Sequence, residues 1–190
     1  MQFVINRPMQ RFWRSTGGKF GLTLTVLLVG VAVLVPLLWP YDPTTDQDLM
    51  ARLMPPSSSH WFGTDARGRD ILILAWSGLR TSLLVSLVSV ALGLVIGVLL
   101  GLLAGYLGRF VDLGISWVTD ILLAFPSILL AIAIVTVTGP SLTSTMVAIG
   151  IVQIPIYTRL TRAMALSLRE QEFVQAAQAL GASPVRILCH

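Results

Sequence analysis

The residue types needed for nucleotide chemistry are present near the N-terminus, but their spacing does not support it. The phosphate-binding motif G-x-x-x-x-G-K-[ST] needs a leading glycine and a hydroxyl residue after the lysine, because backbone amides hold the phosphates and the hydroxyl binds Mg²⁺. Gly17-Gly18-Lys19 lacks the leading glycine and is followed by Phe20. We therefore expect that this chain does not bind or hydrolyse ATP by itself.

Catalytic triads and zinc centres have too few parts in this sequence. The chain has two histidines, His60 and His190, and one cysteine, Cys189. It contains neither the H-E-x-x-H arrangement of zinc proteases nor the G-x-S-x-G turn that presents a nucleophilic serine. A single cysteine also excludes a disulfide within the chain. The sequence predicts no catalytic residue, no metal site and no cofactor, so a non-catalytic role is expected.

A different kind of site is predicted at residues 167–190, which hold a polar helix, a Gly-Ala-Ser-Pro turn and the start of a second helix. Phe173, Ala176, Ala177 and Leu180 fall at i, i+3, i+4 and i+7, which places them on one face of the helix. This face is apolar and carries small residues at its centre. We expect it to dock on another protein.

Composition indicates that the rest of the chain is a membrane protein. Of its 190 residues, 55% are hydrophobic and only 12% are charged, with a mean hydropathy of +0.82. A water-soluble domain of this length could not bury so much apolar surface in one core. The net charge of +4 comes from arginines at the ends of apolar stretches, where membrane topology explains them better than nucleic-acid binding. We therefore expect the chain to lie in the lipid bilayer and not to bind nucleic acid.

Charge-free intervals divide the chain into spans, since a membrane helix needs about 20 apolar residues. These intervals run from Lys19 to Asp42, from Arg80 to Arg109 and from Asp120 to Arg159, and Gly139-Pro140-Ser141 splits the last into two helices. The predicted fold is an all-α membrane protein with four transmembrane helices. Its segments are a tail at 1–19, spans at 20–41, 81–108, 121–138 and 142–158, an outer loop with a short helix at 42–80, a cytoplasmic loop at 109–120 and a cytoplasmic segment at 159–190.

Basic residues predict the orientation, because cytoplasmic segments carry an excess of lysine and arginine. The flanking basic residues are Arg7, Arg11, Arg14 and Lys19 before the first span and Arg159, Arg162, Arg169 and Arg186 after the fourth. The outer loop has four arginines against this rule, although five aspartates bring its net charge to −1. The even number of spans decides the prediction: both ends of the chain are cytoplasmic.

The outer loop is predicted to be ordered and to face solvent. Within it, Gly63-Thr64-Asp65 is expected to end a turn and cap a short helix from Ala66 to Leu79, with Arg69 and Asp70 available for capping or pairing. No residue of this loop is singled out for substrate contact, and a structural role is favoured.

Four glycines in the second span form a strip without side chains along one helix face. They lie four residues apart, at Gly93, Gly97, Gly101 and Gly105. Such strips are contact surfaces in lipid, where helices associate through close packing. Packing within this chain is favoured over packing against a partner subunit, and both alternatives predict that Gly97→Leu harms assembly.

Pro126 in the third span and Pro155 in the fourth are candidate kinks, because proline removes a backbone donor from a helix. Two roles remain open for each of them. One is a gate in a translocation protein, and the other is a static bend tolerated by packing. Neither proline is assigned a function by itself.

The spans contain no ionisable residue, since Asp112 and Asp120 lie at or before the start of the third. Proton-coupled carriers need ionisable groups inside their spans, so this class is disfavoured. An ion channel would need a ring of polar or carbonyl groups in a re-entrant segment, and none is evident. A transport role would therefore need energy from another protein.

Three stretches together resemble the permease subunits of bacterial ABC importers, in the dipeptide, oligopeptide and nickel branch. They are HWFGTDARGRD at His60–Asp70, DILLAFPSILLA at Asp120–Ala131 and EFVQAAQALGAS at Glu172–Ser183. The third is similar to the family's EAA loop, E-A-A-x-x-x-G, with Ala176, Ala177 and Gly181 in register. The resemblance implies a multi-pass protein of the bacterial inner membrane.

It also implies a set of partners and a coupling site. The partners are a second homologous permease subunit, two cytoplasmic ABC ATPase subunits and an external solute-binding protein that delivers a peptide or similar small solute. The residues implied in ATPase coupling are Glu172, Gln175, Ala176, Ala177 and Gly181. The alanines permit close approach, and the glycine permits the backbone to reverse. Ser183 is then expected to cap the next helix, with Pro184 in its first turn.

Two departures from the family pattern leave an alternative function open. Gln175 stands where the EAA motif has glutamate, and Glu172, one turn earlier, is a candidate for supplying the missing charge. The chain also ends inside the coupling segment, whereas the family continues through two further spans, so we expect a truncated permease. The alternative to a transport subunit is an inactive remnant or a membrane scaffold.

Overall fold

A computed structural model of the chain describes residues 12–38 and 47–181, and it is helical throughout these ranges apart from turns and loops. The helices are α1 (Thr16–Leu38), α2 (Ile71–Leu107), α3 (Arg109–Ala124), α4 (Ser127–Thr138), α5 (Leu142–Arg169) and α6 (Glu172–Ala179), and a short 3₁₀ helix lies at Leu49–Ala51. Within the described ranges, the only β-type pairing is an isolated bridge between Thr64 and Asp70. The predicted all-α membrane fold is confirmed.

Large apolar side chains cover the outside of these helices, an arrangement that a water-soluble monomer avoids and a membrane protein requires. Among the described helices, α1 and α2 are long and apolar enough to cross a membrane, and α3 with α4 makes a third if the bent pair is one span. The α2 helix has 37 residues. At 1.5 Å per residue it is about 55 Å long, more than the roughly 30 Å of a hydrocarbon core. The count of four spans stays a prediction.

The chain divides into two compact units, one up to Leu84 and the other from Val85 onward. In the first unit, the loop before α2 differs from the prediction, because no separate helix forms at 66–79 and α2 begins at Ile71. Asp70 causes this start: one carboxylate oxygen accepts backbone N–H groups of the first turn at 2.8 and 3.2 Å, and the other lies 2.9 Å from His60 Nδ1. Burial raises the pKa of Asp70, but the hydrogen bonds from His60 and these amides outweigh it, so the pKa is lowered.

Asp65 holds residues 65–69 as a turn. Its Oδ1 accepts the backbone N–H of Arg67 at 2.7 Å and of Arg69 at 3.0 Å, and its Oδ2 accepts Arg69 Nε at 2.8 Å. The side-chain hydrogen bond from Arg69 is the largest cause of a pKa of about 2 for Asp65. Since this carboxylate is occupied by the turn, it does not begin the helix that the sequence predicted.

Two glycines let this loop fold tightly onto the segment that precedes it. Gly63 and Gly68 have φ of 75° and 73°, a region that side chains disfavour. A Cβ on Gly63 would overlap the Met54 carbonyl oxygen, and a Cβ on Gly68 would overlap the Asp48 carbonyl oxygen. Between them, the buried Thr64 accepts the backbone N–H of Met54 at 2.9 Å. The G-T-D-x-x-G-R-D residues therefore have a structural role: they hold the loop before α2 in one conformation.

In the second unit, the core lies where α2 meets α5. Its most buried residues are small or polar: Ser89, Ala104, Ala148, Pro155 and Thr158. The hydroxyl of Ser89 donates to the carbonyl oxygen of Met146 at 2.9 Å across the two helices. Small side chains let the helices approach, and this hydrogen bond satisfies a hydroxyl that would otherwise be buried without a partner.

The third predicted span, 121–138, is broken instead of continuous. The α3 helix ends at Ala124, α4 begins at Ser127, and the two meet at 93°. Proline disfavours the helical conformation in the residue before it, and Phe125 is accordingly extended, with φ −86° and ψ 136°. Pro155, by contrast, lies inside α5, which continues through it.

The cytoplasmic loop predicted at 109–120 is also helical, because α3 already begins at Arg109 after Gly108. Gly108 has φ 100°, which ends α2 and lets the chain change direction within one residue. The fourth predicted span, 142–158, is the first part of α5, which continues to Arg169.

Candidate functional site

The predicted docking segment is a short helix joined closely to α5. After α5 ends at Arg169, the backbone N–H of Gln171 donates to the Leu168 carbonyl oxygen at 3.1 Å, and α6 begins at Glu172. Gly181 follows α6 with φ 81°, the left-handed conformation in which glycine commonly ends a helix. Only two residues, Glu170 and Gln171, separate α5 from α6. Ser183 and Pro184, predicted to start the next helix, lie outside the described residues.

The side chains of α6 divide into one buried residue and an exposed apolar face. Val174 is 6% exposed, so its buried side chain packs the helix against the rest of the chain. Phe173 is 67% and Leu180 is 89% exposed. Ala176 is exposed and Ala177 is half-buried. The sequence predicted the face with Phe173 and Leu180 but not Val174 as the anchor. The sequence pattern that could have predicted this buried side is the spacing i, i+3 and i+7 of Val174, Ala177 and Gly181.

Gln175 makes a contact that glutamate at the same position could not make. Its side-chain Nε2 donates to the carbonyl oxygen of Glu170 at 3.3 Å, at the end of α5, where carbonyl groups lack helical partners. A carboxylate has no proton to donate there. Glu172 lies in the first turn of α6, where a negative charge is favourable. Its role toward a partner stays a prediction.

The four glycines of α2 lie against α5 of the same chain. A Cβ added to each would come within 2.6–2.8 Å of an α5 atom, so no side chain fits between the helices. The Cβ contacts pair Gly93 with Gln153, Gly97 with Tyr157, Gly101 with Thr161 and Gly105 with Ala165. Each pair is 60 residues apart, so α2 and α5 run parallel in a constant register.

Two ion pairs join α3 to α5 beside this packed surface. Arg162 forms a bidentate salt bridge with Asp112: Nη2 donates to Oδ2 at 2.7 Å, and Nε donates to Oδ1. The second pair, Arg159 with Asp120, has a single hydrogen bond of 2.6 Å. From the sequence, these arginines were explained by membrane topology alone, and neither pair was predicted.

The two pairs differ in burial as well as geometry. The side chains of Arg162 and Asp112 are 35% and 24% exposed, whereas those of Arg159 and Asp120 are 59% and 60% exposed. Two-pronged arginine–carboxylate contacts are more directional than single ones, and exposed pairs are weakened by solvent. The Asp112–Arg162 contact is therefore the stronger tie between α3 and α5.

Comparison with protein families gives two matches. Residues 97–190 match the family described as binding-protein-dependent transport system inner membrane component. Residues 7–56 match the N-terminal TM domain of oligopeptide transport permease C. The first match includes the ion pairs, α5 and the docking segment.

Three curated relatives are similar along most of this chain. The dipeptide transport system permease protein DppC of Alkalihalophilus pseudofirmus is 48% identical over 172 residues, which are 90% of this chain and 56% of the relative. The probable D,D-dipeptide transport system permease protein DdpC of Escherichia coli is 44% identical over 174 residues, covering 90% and 58%. The dipeptide transport system permease protein DppC of Haemophilus influenzae is 34% identical over 198 residues, covering 99% and 67%. The chain thus spans a little over half the length of the first two.

Proposed function

This chain belongs to the family of inner membrane components of binding-protein-dependent transport systems, and we propose that it is a permease subunit of an ATP-driven importer. In this role it forms part of the path that moves a peptide or similar small solute across the inner membrane. ATP is hydrolysed on separate subunits, and this chain is not itself an enzyme. The similarity to permeases named for dipeptide and D,D-dipeptide transport supports a peptide as the solute.

The proposed assembly contains a second homologous permease subunit, two cytoplasmic ABC ATPase subunits and an external solute-binding protein. The second permease completes the solute path, and the binding protein delivers the solute from outside. The ATPases supply the energy, in keeping with spans that lack ionisable residues at their predicted centres.

The observation that carries the proposal is the exposed apolar face of α6. Phe173 and Leu180 are exposed although Val174 is buried, so one side of the helix packs against the chain and the other side is uncovered. Exposed aromatic and aliphatic residues that protrude from a small helix fill pockets on partner proteins. We assign this face to the ATPase, with coupling residues Glu172, Gln175, Ala176, Ala177 and Gly181.

The proposed orientation places both ends of the chain in the cytoplasm. The parallel register of α2 and α5 supports it, because two parallel spans need an odd number of crossings between them. In the proposed topology, the bent pair α3–α4 is the one crossing between them. The basic residues after α5 also support this orientation, in which α6 lies on the cytoplasmic side together with the proposed ATPase subunits.

Copurification of the ATPase from solubilised membranes tests the proposal. Replacing Phe173 and Leu180 together with alanine should weaken binding of the ATPase by about thirtyfold and lower the amount recovered with the chain. Two hot-spot residues at more than 1 kcal/mol each sum to about 2 kcal/mol. Phe62→Ala is the matched control, because Phe62 is an exposed phenylalanine in the outer loop. Equal ATPase recovery from the parent, the double variant and the control would contradict the assignment of this face.

A further inference from the structure

Arg162 stands where three helices of the second unit meet. A Cβ added to Gly101 of α2 would lie 3.0 Å from the backbone nitrogen of Arg162, so the Arg162 backbone is held against α2. Its guanidinium donates two hydrogen bonds to Asp112 of α3. A movement of α5 at this point must therefore be shared with both neighbours or break one of these contacts.

Arg162 is also mechanically close to the docking segment. It lies on the same uninterrupted helix as Arg169, seven residues or about 10 Å before the end of α5. From there the chain enters α6 after a two-residue turn. In the opposite direction, Asp112 lies on α3, which continues to Ala124 and then to the 93° bend with α4.

We propose that the Asp112–Arg162 pair passes movement of the docking segment to the bent helix pair α3–α4. The pair is a positioning contact and does not touch the solute. When α6 is displaced, α5 moves with it, and the two-pronged contact makes α3 follow instead of sliding past. This inference rests on the proposed function, since it takes α6 as the part that the ATPase moves.

The Asp120–Arg159 pair provides an internal comparison. It joins the same two helices with the same residue types, but it has one hydrogen bond and both side chains are about 60% exposed. Exposed pairs of this kind rearrange easily and resist displacement poorly. The structure therefore predicts that the two aspartates of α3 differ strongly in their importance for transport.

Solute uptake by the assembled transporter in proteoliposomes tests this prediction. The variants are Asp112→Asn and Asp120→Asn, which make the same change on the same helix, and uptake is measured together with ATP hydrolysis and the amount of ATPase bound. Asp112→Asn should lower the solute transported per ATP hydrolysed by about fivefold, at the lower end of the 5- to 150-fold typical of coupling between sites. Asp120→Asn should change this ratio by less than about twofold.

A charge exchange shows whether the effect comes from the pair. Arg162→Asp alone should reduce transport per ATP at least as much as Asp112→Asn, and combining it with Asp112→Arg should restore most of it. A merely structural role would lower the amount of assembled complex without changing the ratio. Equal ratios for Asp112→Asn and the parent, or no recovery in an assembled exchanged pair, would overturn the inference.

The outcome is separable from that of the proposed function. If the parent chain does not retain an ATPase at all, the proposed function fails and the role of the pair fails with it. If the ATPase is retained and Phe173 with Leu180 is needed for it, but the Asp112 variants couple normally, only the role of the ion pair fails.

Discussion

Adding one methyl group at Gly97 tests the close packing of α2 and α5. In Gly97→Ala, the new Cβ would lie 2.6 Å from Tyr157 Cβ, 2.9 Å from the Ile154 carbonyl oxygen and 3.1 Å from the Thr158 nitrogen. Two of these atoms belong to the backbone and the third is fixed to it, so no side-chain rotation relieves the overlap. The two helices must move apart.

The size of this movement sets the expected loss of stability. Ordinary contact begins at 3.4 Å, so the closest atoms must separate by about 0.8 Å, a gap that forfeits a quarter to a half of each dispersion contact along the interface. Overpacking of this kind costs about 1–3 kcal/mol. Replacing glycine by alanine within a helix returns roughly 0.5–1 kcal/mol. A net loss of about 0–2.5 kcal/mol, centred at roughly 1 kcal/mol, is expected.

The free energy of unfolding is measured by titrating the purified chain in mild detergent micelles with sodium dodecyl sulfate and following helical circular dichroism. Gly78→Ala is the matched control, because Gly78 lies on the same helix and a Cβ there meets no atom within 4 Å. This control should leave stability unchanged or raise it slightly. If Gly97→Ala is as stable as Gly78→Ala, the close contact between α2 and α5 is refuted.

Three further perturbations test other contacts. The pKa of Asp65 is lowered from 3.8 to about 2, so its stabilisation of the turn is complete above about pH 4 and is lost as the pH falls through 2. Hydrogen exchange of nearby amides should therefore differ between Asp65→Asn and the parent at about pH 4.5 but converge at about pH 2. A difference that stays constant with pH would contradict the assignment. Ser89→Ala removes the hydrogen bond to the Met146 carbonyl oxygen and should cost about 0.6 kcal/mol in the detergent titration, whereas no loss would show that the bond is not formed. Gly68→Ala should open the outer loop, because its φ of 73° and the nearby Asp48 carbonyl oxygen both exclude a side chain; unchanged resistance of the loop to protease would argue against this contact.

The fold class could be predicted from the sequence because it depends on composition and local spacing. Charge-free intervals predicted membrane helices, and the four-residue spacing of Gly93 to Gly105 predicted a contact surface that is local to one helix. Spacing alone did not decide between α5 and a partner subunit. The glycines of α2 contact α5 residues that lie 60 positions later in the sequence, and no local pattern predicts a contact over that distance.

Helix boundaries were predicted less well where a side chain could form more than one set of hydrogen bonds. Asp65 and Asp70 are both suitable helix caps, and the sequence favoured Asp65. In the structure, Asp65 is occupied by the amides of residues 67 and 69 and by the Arg69 side chain, so Asp70 begins the helix. Likewise, Pro126 was expected to kink one helix, but the extended Phe125 before it separates two.

The candidate site was only partly predictable. The exposed face of α6 follows from helical periodicity, whereas the contacts that connect this helix to the remainder of the second unit do not. The ion pairs join residues 50 and 39 positions apart, and the sequence offered a simpler explanation for the arginines, the bias of basic residues toward the cytoplasm. The charge that predicts topology here also forms a specific contact.

Site-specific cross-linking tests most directly the claim that α6 is the surface on which an ATPase docks. Phe173→Cys is combined with Cys189→Ser in the assembled transporter, so that the only cysteine of this chain lies on the exposed face, and inner-membrane vesicles are treated with a short thiol-reactive photo-cross-linker. We predict a covalent product with the ATPase subunit whose yield changes when ATP is added. No such product is expected from Phe62→Cys, also combined with Cys189→Ser, in the outer loop. A Phe173→Cys chain that retains its ATPase but never cross-links to it would contradict the docking role of α6.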